Sequence, residues 1–132
     1  MNTTATLEQE SDAEVGVRYE YLQVQATVVN FTDTPMIIKK SDLSWGKWMQ
    51  SPVDTPADNI SNFSCQGRDS SPSGTEGYAI WRIGSAEIRA DFSSPFIGSN
   101  TQSISCNSAA YKVTCTGTDG HVNQCTFMIR KA

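Results

Sequence analysis

The residues that could support catalysis in this 132-residue chain are few and poorly grouped. The single histidine, His121, lies in a predicted turn and has no acid or thiol partner at catalytic spacing. Residues 67–77 are glycine-rich but lack the Gly-Lys-Ser/Thr ending of a phosphate loop. Glu87, Arg89 and Asp91 alternate on one strand face, which is typical of a solvated charge ladder. The sequence therefore predicts that the protein is not an enzyme.

The four cysteines, Cys65, Cys106, Cys115 and Cys125, do not match the spacing of a zinc site. We therefore predict no metal ion and no cofactor. Cys115 and Cys125 fall on the apolar faces of what look like adjacent antiparallel strands, where a cross-hairpin disulfide can form if they are directly opposed. Two buried free thiols fit the same pattern, because cysteine often acts as a small core side chain.

Two short segments favour binding to a surface. Trp45-Gly46-Lys47-Trp48 places two indoles and an amine within four residues, and on a strand Trp45 and Lys47 would share one face. One tryptophan is expected in the core, and an exposed one is costly in water but favoured at a membrane interface. The segment Pro95-Phe96-Ile97-Gly98 also places adjacent apolar side chains at a predicted turn.

The elements that must position these segments are short strands. Residues 22–29 alternate apolar and polar side chains, residues 86–92 do so again after a Gly84-Ser85 turn, and residues 111–115 and 125–129 follow the same period. No stretch has helical periodicity. The pattern predicts an all-β fold, an antiparallel β-sandwich over residues 18–132. Residues 1–17 are acidic and without periodicity, and we expect a flexible arm there.

Charge distribution excludes several classes of partner. The net charge is −4, and five of the 14 acidic residues lie in the first 20 positions, so the rest of the chain is balanced. Without a basic stripe, binding to nucleic acid or purely electrostatic attachment to anionic lipid is not expected. No apolar run approaches the roughly 20 residues of a membrane-spanning helix, and the N-terminus does not resemble a secretory signal. We therefore expect production in the cytoplasm, or release by a non-classical route, and action at a target-cell membrane.

Several segments in register resemble the aegerolysin family. Residues 43–48 are similar to its Trp-Gly-Lys-aromatic segment, and residues 65–77 resemble its Cys-Gly-Arg … Gly-Thr-x-Gly stretch, with Gln66 inserted. Residues 91–100 resemble its loop of aspartate, proline, aromatic residue and glycine. The stretches at residues 48–52, 74–77, 84–88, 95–96 and 98–100 are also similar to the small component of a bacterial binary insecticidal crystal toxin. The resemblance covers roughly residues 20–130.

The resemblance implies a β-sandwich that binds a membrane lipid, often a sphingolipid headgroup with or without sterol. It also implies that a larger pore-forming partner protein builds the pore, with oligomers possible on the membrane. Carried over by position, the lipid-contact residues are Trp45, Lys47, Trp48, Arg68, Ser73, Glu76, Phe96, Ile97, Gly98 and Asn100. Phe96 replaces the tryptophan of fungal members, and residues 69–73 also differ, so the lipid preference is expected to differ. The alternative is a soluble lectin-like module that recognises a glycan or glycolipid, because exposed aromatic rings also stack on sugars.

Overall fold

The computed structural model describes residues 20–69 and 72–132, and this part of the chain consists of strands and connecting loops without a helix. The strands are β1 (Gln23–Asn30), β2 (Met36–Trp45), β3 (Lys47–Gln50), β4 (Asn59–Gln66), β5 (Gly74–Ile83), β6 (Ala86–Pro95), β7 (Thr101–Cys106), β8 (Tyr111–Thr116) and β9 (Val122–Lys131). The predicted all-β fold is confirmed. The arm predicted at residues 1–17 lies outside the described residues.

The strands form two sheets that face each other across one core. The five-stranded sheet has the order β3-β4-β1-β9-β8, and the four-stranded sheet has the order β2-β5-β6-β7. Neighbouring strands are antiparallel except for β1 and β9, which are parallel. These are the first and last strands of the described fold, so the long connection that a parallel pair needs is available. The predicted antiparallel sandwich is confirmed with this one parallel pair.

The alternation of side chains places an aromatic cluster between the sheets. Phe63 lies at its centre, and its ring centroid is 4.9 Å from Phe92 and 6.2 Å from both Trp81 and Phe127. Aliphatic residues of β1, β5, β6 and β9 fill the space around these rings. Such close packing makes the sandwich a rigid support for the loops at its ends.

The strand ends define two opposite ends of the molecule. We call apical the end formed by residues 20–22, 45–47, 67–73, 95–100 and 117–121, with residues 70 and 71 outside the description. We call basal the end formed by residues 31–35, 51–58, 84–85 and 107–110. The predicted turn at Gly84-Ser85 is confirmed at the basal end, where Gly84 has a φ of 59°. The loop expected at residues 66–77 is shorter, because β5 already begins at Gly74.

The cross-hairpin disulfide considered for Cys115 and Cys125 is not formed. The register of β8 and β9 places Cys115 opposite Phe127, two residues along the strand from Cys125. All four cysteines are free thiols. Burial raises the pKa of Cys65 to about 11 and that of Cys125 to about 12. Of the pair considered, Cys125 is a buried free thiol and Cys115 is a half-buried one, so the alternative of two buried thiols holds fully for Cys125 only.

Candidate functional site

The Trp-Gly-Lys segment crosses from one sheet to the other at the apical end. Trp45 is the last residue of β2 in the four-stranded sheet, and Lys47 is the first residue of β3 in the five-stranded sheet. Gly46 between them has a φ of 96°, and a Cβ there would lie 2.5 Å from the backbone oxygen of Gln66. Only glycine fits this crossing. The prediction that Trp45 and Lys47 share one strand face is wrong, because the chain changes sheets between them.

The two tryptophans of this segment have different surroundings. Trp48 is half-buried, and its ring centroid lies 6.3 Å from Phe63 and 6.2 Å from Phe92. Trp45 is 54% exposed at the sandwich end, and its backbone oxygen accepts a hydrogen bond from Thr75 Oγ1 at 3.1 Å. Trp48 therefore extends the core, as expected for one of the pair, and Trp45 presents its indole to the surroundings.

The basic residues of the site support the crossing. Lys47 Nζ lies 2.7 Å from Glu20 Oε2, which also accepts a hydrogen bond from Gln66 Nε2 at 3.0 Å. Arg68 Nε donates to the backbone oxygen of Gly46 at 3.1 Å. The lysine–glutamate pair is partly exposed, so it adds at most about 1 kcal/mol to stability. These contacts hold two cationic side chains beside Trp45.

The loop at residues 96–100 presents two further exposed apolar side chains at this end. Phe96 is 42% exposed and Ile97 is 84% exposed. Gly98 has a φ of 106°, which turns the chain after them. Asn100 Nδ2 donates to the backbone oxygens of Thr118 and Gly120, both at 2.8 Å. The loop is therefore tied to the β8–β9 connection while Phe96 and Ile97 project from it.

A recess of about 380 Å³ lies between this loop and the β8–β9 connection. Its lining is contributed by Leu22, Pro95, Phe96, Gly98, Ser99, Asn100, Asp119, Gly120 and His121. The ring of His121 contacts Tyr21 edge-on at 4.7 Å, and its backbone oxygen accepts from Ser94 Oγ at 2.8 Å. The recess offers an acid, an imidazole and backbone groups to a small polar ligand next to two projecting apolar side chains.

The sequence-based reasoning missed Asp119 and His121 as part of this site. One feature of the sequence could have indicated them. Residues 111–115 and 125–129 were expected to form a hairpin, and the connection that contains Asp119 and His121 must lie at one end of the sandwich. The pairing of β9 with β1 decides which end the connection reaches. This pairing places His121 at the apical start of β1, where Gln23 N donates to the backbone oxygen of His121 at 2.9 Å. Periodicity alone does not give this pairing.

The remaining site residues lie around the same end. Glu76 is exposed on β5 and is in register with Trp45 on one side and Ser93 on the other. Ser73 is half-buried just before β5. Because β5 lies between β2 and β6 and Gly74 is opposite Pro95, the Trp45 crossing and the residue 96–100 loop are adjacent. The structure thus brings the sequence-predicted residues to one end, with Trp48 turned into the core.

Within residues 20–69 and 72–132, no group of three or more histidine, cysteine, aspartate or glutamate side chains is arranged to hold a metal ion. In the same residues, no helix is long and apolar enough to cross a bilayer. At the apical end, an exposed aromatic and aliphatic edge borders a polar recess.

The sequence was also compared with models of protein families, and the result agrees with the β-sandwich fold. The aegerolysin family model matches residues 21–131. This chain is an aegerolysin. The match spans all nine strands. Residues 45–48 and 96–100 at the apical end therefore lie within the part of the chain that the family model matches. No curated protein matches the sequence.

Three solved structures are similar to this aegerolysin in fold. RahU protein, crystallised with a Tris molecule, has a TM-score of 0.76 at 20% identity, covering 86% of this chain and 97% of RahU. The lipid binding protein Nakanori has a TM-score of 0.76 at 12% identity, covering 90% and 74%. IP-1A from Alcaligenes faecalis has a TM-score of 0.73 at 17% identity, covering 86% and 94%. At these identities the similarity shows the fold alone.

Proposed function

We propose that the apical end of this aegerolysin binds a membrane lipid. The observation that supports this most directly is the placement of Trp45, Phe96 and Ile97 on one end of a rigid sandwich, all exposed. Exposed large apolar side chains gathered at one end are costly in water and favourable in the interfacial region of a bilayer. The balanced charge of the body indicates recognition by insertion and headgroup contact, without a strong electrostatic component.

The recess next to Phe96 suits the polar part of such a lipid. Insertion of Phe96 and Ile97 would bring the recess with Asp119 and His121 to the level of the headgroups, while Lys47 and Arg68 stand on the other side of Trp45. Family membership supports a sphingolipid headgroup, with or without sterol, as the lipid class. The name of one fold neighbour, the lipid binding protein Nakanori, agrees with a lipid ligand.

We further propose that the chain is one component of a two-part pore-forming cytolysin or insecticidal toxin. In this proposal the aegerolysin docks first, from outside the target cell, and a larger partner protein forms the pore. The resemblance to small components of binary insecticidal toxins supports this division of roles. The chain alone is therefore expected to bind vesicles without releasing an enclosed dye. Dye release by the purified chain in the absence of any second protein would contradict the two-component proposal.

The lipid-binding proposal is tested by co-sedimentation with vesicles that contain phosphatidylcholine alone, or with sphingomyelin and cholesterol added, or insect-gut lipid extract. The test variant is the Phe96→Ser, Ile97→Ser double substitution. Each lost apolar insertion removes about 1.5–3 kcal/mol, so binding is expected to weaken at least about 100-fold.

The matched control is the Ile37→Ser, Val53→Ser double substitution, which changes two side chains that are 43% and 46% exposed away from the apical end. It is expected to bind as the wild type does. Equal losses in the two double variants, or no binding of the folded wild type to any vesicle, would count against lipid binding at this end.

A glycan-binding function is favoured by one separate observation. The outer face of the five-stranded sheet has a recess of about 400 Å³ with neutral amide and hydroxyl side chains, which match the hydroxyl groups of a sugar. These side chains belong to Gln25, Thr27, Gln50, Asn62, Ser64, Gln124 and Thr126. The lectin-like alternative predicts that the wild type binds free saccharides on a glycan array and does not bind vesicles. It also predicts that a Gln25→Ala, Gln124→Ala variant loses the saccharide binding.

A further inference from the structure

Two neighbouring rows of neutral polar side chains line the recess on the outer face of the five-stranded sheet. The rows run across β4, β1 and β9, because these three strands are in register there. They consist of Ser64, Gln25 and Gln124 in the first row and of Asn62, Thr27 and Thr126 in the second. We call this site the side recess. It is separate from the recess beside Phe96, which belongs to the proposed lipid-binding site.

Much of the hydrogen-bonding capacity of the side recess is not used within the molecule. Thr27 Oγ1 donates to Asn62 Oδ1 at 3.1 Å. In the described part of the chain, the side chains of Ser64, Gln124 and Thr126 make no hydrogen bond. Amide and hydroxyl side chains both donate and accept, and so do the hydroxyl groups of a sugar. The side recess therefore offers donors and acceptors to a ligand of matching chemistry.

The lining of the side recess disfavours a charged ligand. None of the residues that line it, all of which the structure describes, is acidic or basic. A phosphate, sulfate or carboxylate group is bound most favourably by arginine or lysine, and an amine by a carboxylate. The volume of about 400 Å³ is within the usual range of sites for small ligands. The ligand class that fits is a neutral saccharide.

The side recess lies close to the apical end of the sandwich. Gln23 and Val122 are the apical first residues of β1 and β9, and the two rows follow them by two and four residues. At about 3.3 Å per residue, the rows lie about 7 and 13 Å from the strand ends. The headgroup region on each side of a bilayer is about 5–8 Å thick. When the apical end contacts a bilayer, the side recess therefore opens sideways just beyond the headgroups, at the level of a sugar carried by a neighbouring lipid.

We propose that the side recess binds the neutral sugar of a glycolipid in the membrane that the apical end contacts. This inference rests on the proposed lipid binding, because the apical contact holds the side recess next to the membrane. An open recess on a sheet face binds a free sugar weakly, but attachment to the membrane raises the effective concentration of the sugar. Neutral glycolipid is therefore a second determinant of which membranes this aegerolysin binds. Unlike the lectin-like alternative, the inference keeps vesicle binding in the absence of sugar.

The test is co-sedimentation of the full chain with vesicles of phosphatidylcholine, sphingomyelin and cholesterol, alone or with one glycosphingolipid as a minor component. The terminal sugar is in turn glucose, galactose, mannose or N-acetylglucosamine. At least one of these neutral glycolipids is expected to strengthen binding about 10-fold, whereas a sialylated one is expected to give no increase. The Gln25→Ala, Gln124→Ala variant is expected to bind glycolipid-free vesicles as the wild type does and to lose the increase.

The matched control is the Ser103→Ala, Ser105→Ala variant. It removes two exposed hydroxyl groups from β7, on the outer face of the four-stranded sheet. This variant is expected to keep both the binding to glycolipid-free vesicles and the increase with neutral glycolipid. Thermal melting checks that both double variants are folded.

The outcomes separate this inference from the lipid-binding proposal. Binding to glycolipid-free vesicles without an increase from any neutral glycolipid would overturn the inference alone, as would an increase that persists in the Gln25→Ala, Gln124→Ala variant. Binding only to glycolipid vesicles, lost in that variant, would support the side recess and reject lipid binding at the apical end. Calorimetry with the free oligosaccharide distinguishes the source of the sugar. Affinity for it equal to that for the glycolipid vesicle would assign the side recess to a soluble glycan and overturn the membrane role.

Discussion

The apical and basal ends are each held by one fully buried asparagine, yet they present different surfaces. At the apical end, Asn123 Nδ2 donates to the backbone oxygen of Ser93 at 2.9 Å, and its Oδ1 accepts from Thr118 N at 3.0 Å. At the basal end, Asn30 Nδ2 donates to the backbone oxygen of Thr34 at 2.9 Å, and its Oδ1 accepts from Thr32 N at 3.0 Å. One buried asparagine thus holds the connecting segments at each end, where the projecting residues are Phe96 and Ile97 at the apical end and Phe31 at the basal end.

The comparison indicates that internal bonding and exposed chemistry are separate properties of each end. The asparagines satisfy backbone groups of the connecting segments and hold their shape. The function of each end then depends on a few side chains that project from the fixed backbone. Substitutions in the supports should therefore change stability at either end, whereas substitutions in the projecting residues should change binding at one end only.

The largest effect is expected for the buried asparagines. Asn123→Ala and Asn30→Ala each remove several hydrogen bonds to buried and part-buried groups, and each is expected to lower the free energy of unfolding by about 4 kcal/mol. Urea denaturation gives both values. In conditions where both variants stay folded, Asn123→Ala is expected to weaken vesicle binding and Asn30→Ala to leave it unchanged. Weaker vesicle binding by Asn30→Ala would show that the two ends are not independent.

A smaller effect is expected for one glycine at each end. Gly46→Ala adds a Cβ 2.5 Å from the backbone oxygen of Gln66 at a φ of 96°, and a loss of about 3 kcal/mol is expected. Gly84→Ala at the basal turn meets only Tyr111 Oη at 3.9 Å, so the loss is limited to the αL strain of about 1 kcal/mol. Thermal melting of the pair measures the difference. Equal losses of stability in the two variants would mean that the backbone around Gly46 can shift to accommodate a Cβ, contrary to the close contact in the structure.

The two tryptophans separate support from function within the apical end. Trp48→Ala removes a half-buried ring from Phe63 and Phe92 and is expected to cost about 2 kcal/mol of stability. Trp45→Ala is expected to change stability by less than about 0.5 kcal/mol but to weaken vesicle binding about 10-fold or more. Both are followed by urea denaturation and co-sedimentation. A Trp45→Ala variant that melts early and binds normally would reverse these roles.

The smallest effect is an alkaline loss of stability in the apical half of the five-stranded sheet. The pKa of Cys65 is raised to about 11 and that of Cys125 to about 12, from an ordinary value of 9.0, because burial disfavours the thiolate. The unfolded chain therefore ionises first as the pH rises. Stability is complete below pH 9 and falls as the pH rises towards 11–12. A decrease of about 1.5 kcal/mol is expected between pH 8 and pH 9.5.

The control for this pH effect is a Cys65→Ala, Cys125→Ala variant, in which the lysines and tyrosines still titrate as in the wild type. Its stability at pH 8 is expected to be lower, but its further decrease between pH 8 and pH 9.5 should be smaller by about 1.5 kcal/mol than that of the wild type. An identical pH profile in both proteins would show that these thiols are not responsible.

The sequence alone predicted most of the strands and, in part through the resemblance to the aegerolysins, the residues of the candidate site. Alternation at residues 22–29 and 86–92 predicts β1 and β6, because a half-buried strand needs an apolar side chain at every second position. The Gly84-Ser85 turn was also predictable, since a tight hairpin selects such residues. The two apical segments were identified through Trp45 and Phe96. The local sequence already predicts that these aromatic side chains are exposed, and such exposure is unfavourable in water unless it serves binding.

The tertiary structure alone decided how these strands pair and which surfaces result. Alternation says which side chains of a strand are buried but not which strand lies next to it, so the parallel pairing of β1 with β9 was not predictable. That pairing brings Asp119 and His121 beside Phe96, and it places Gln124 beside Gln25 in the side recess. The change of sheet at Gly46 likewise separates Trp45 from Lys47. Contacts between residues distant in sequence depend on the packing of the whole chain, and this is the physical reason that local patterns do not contain them.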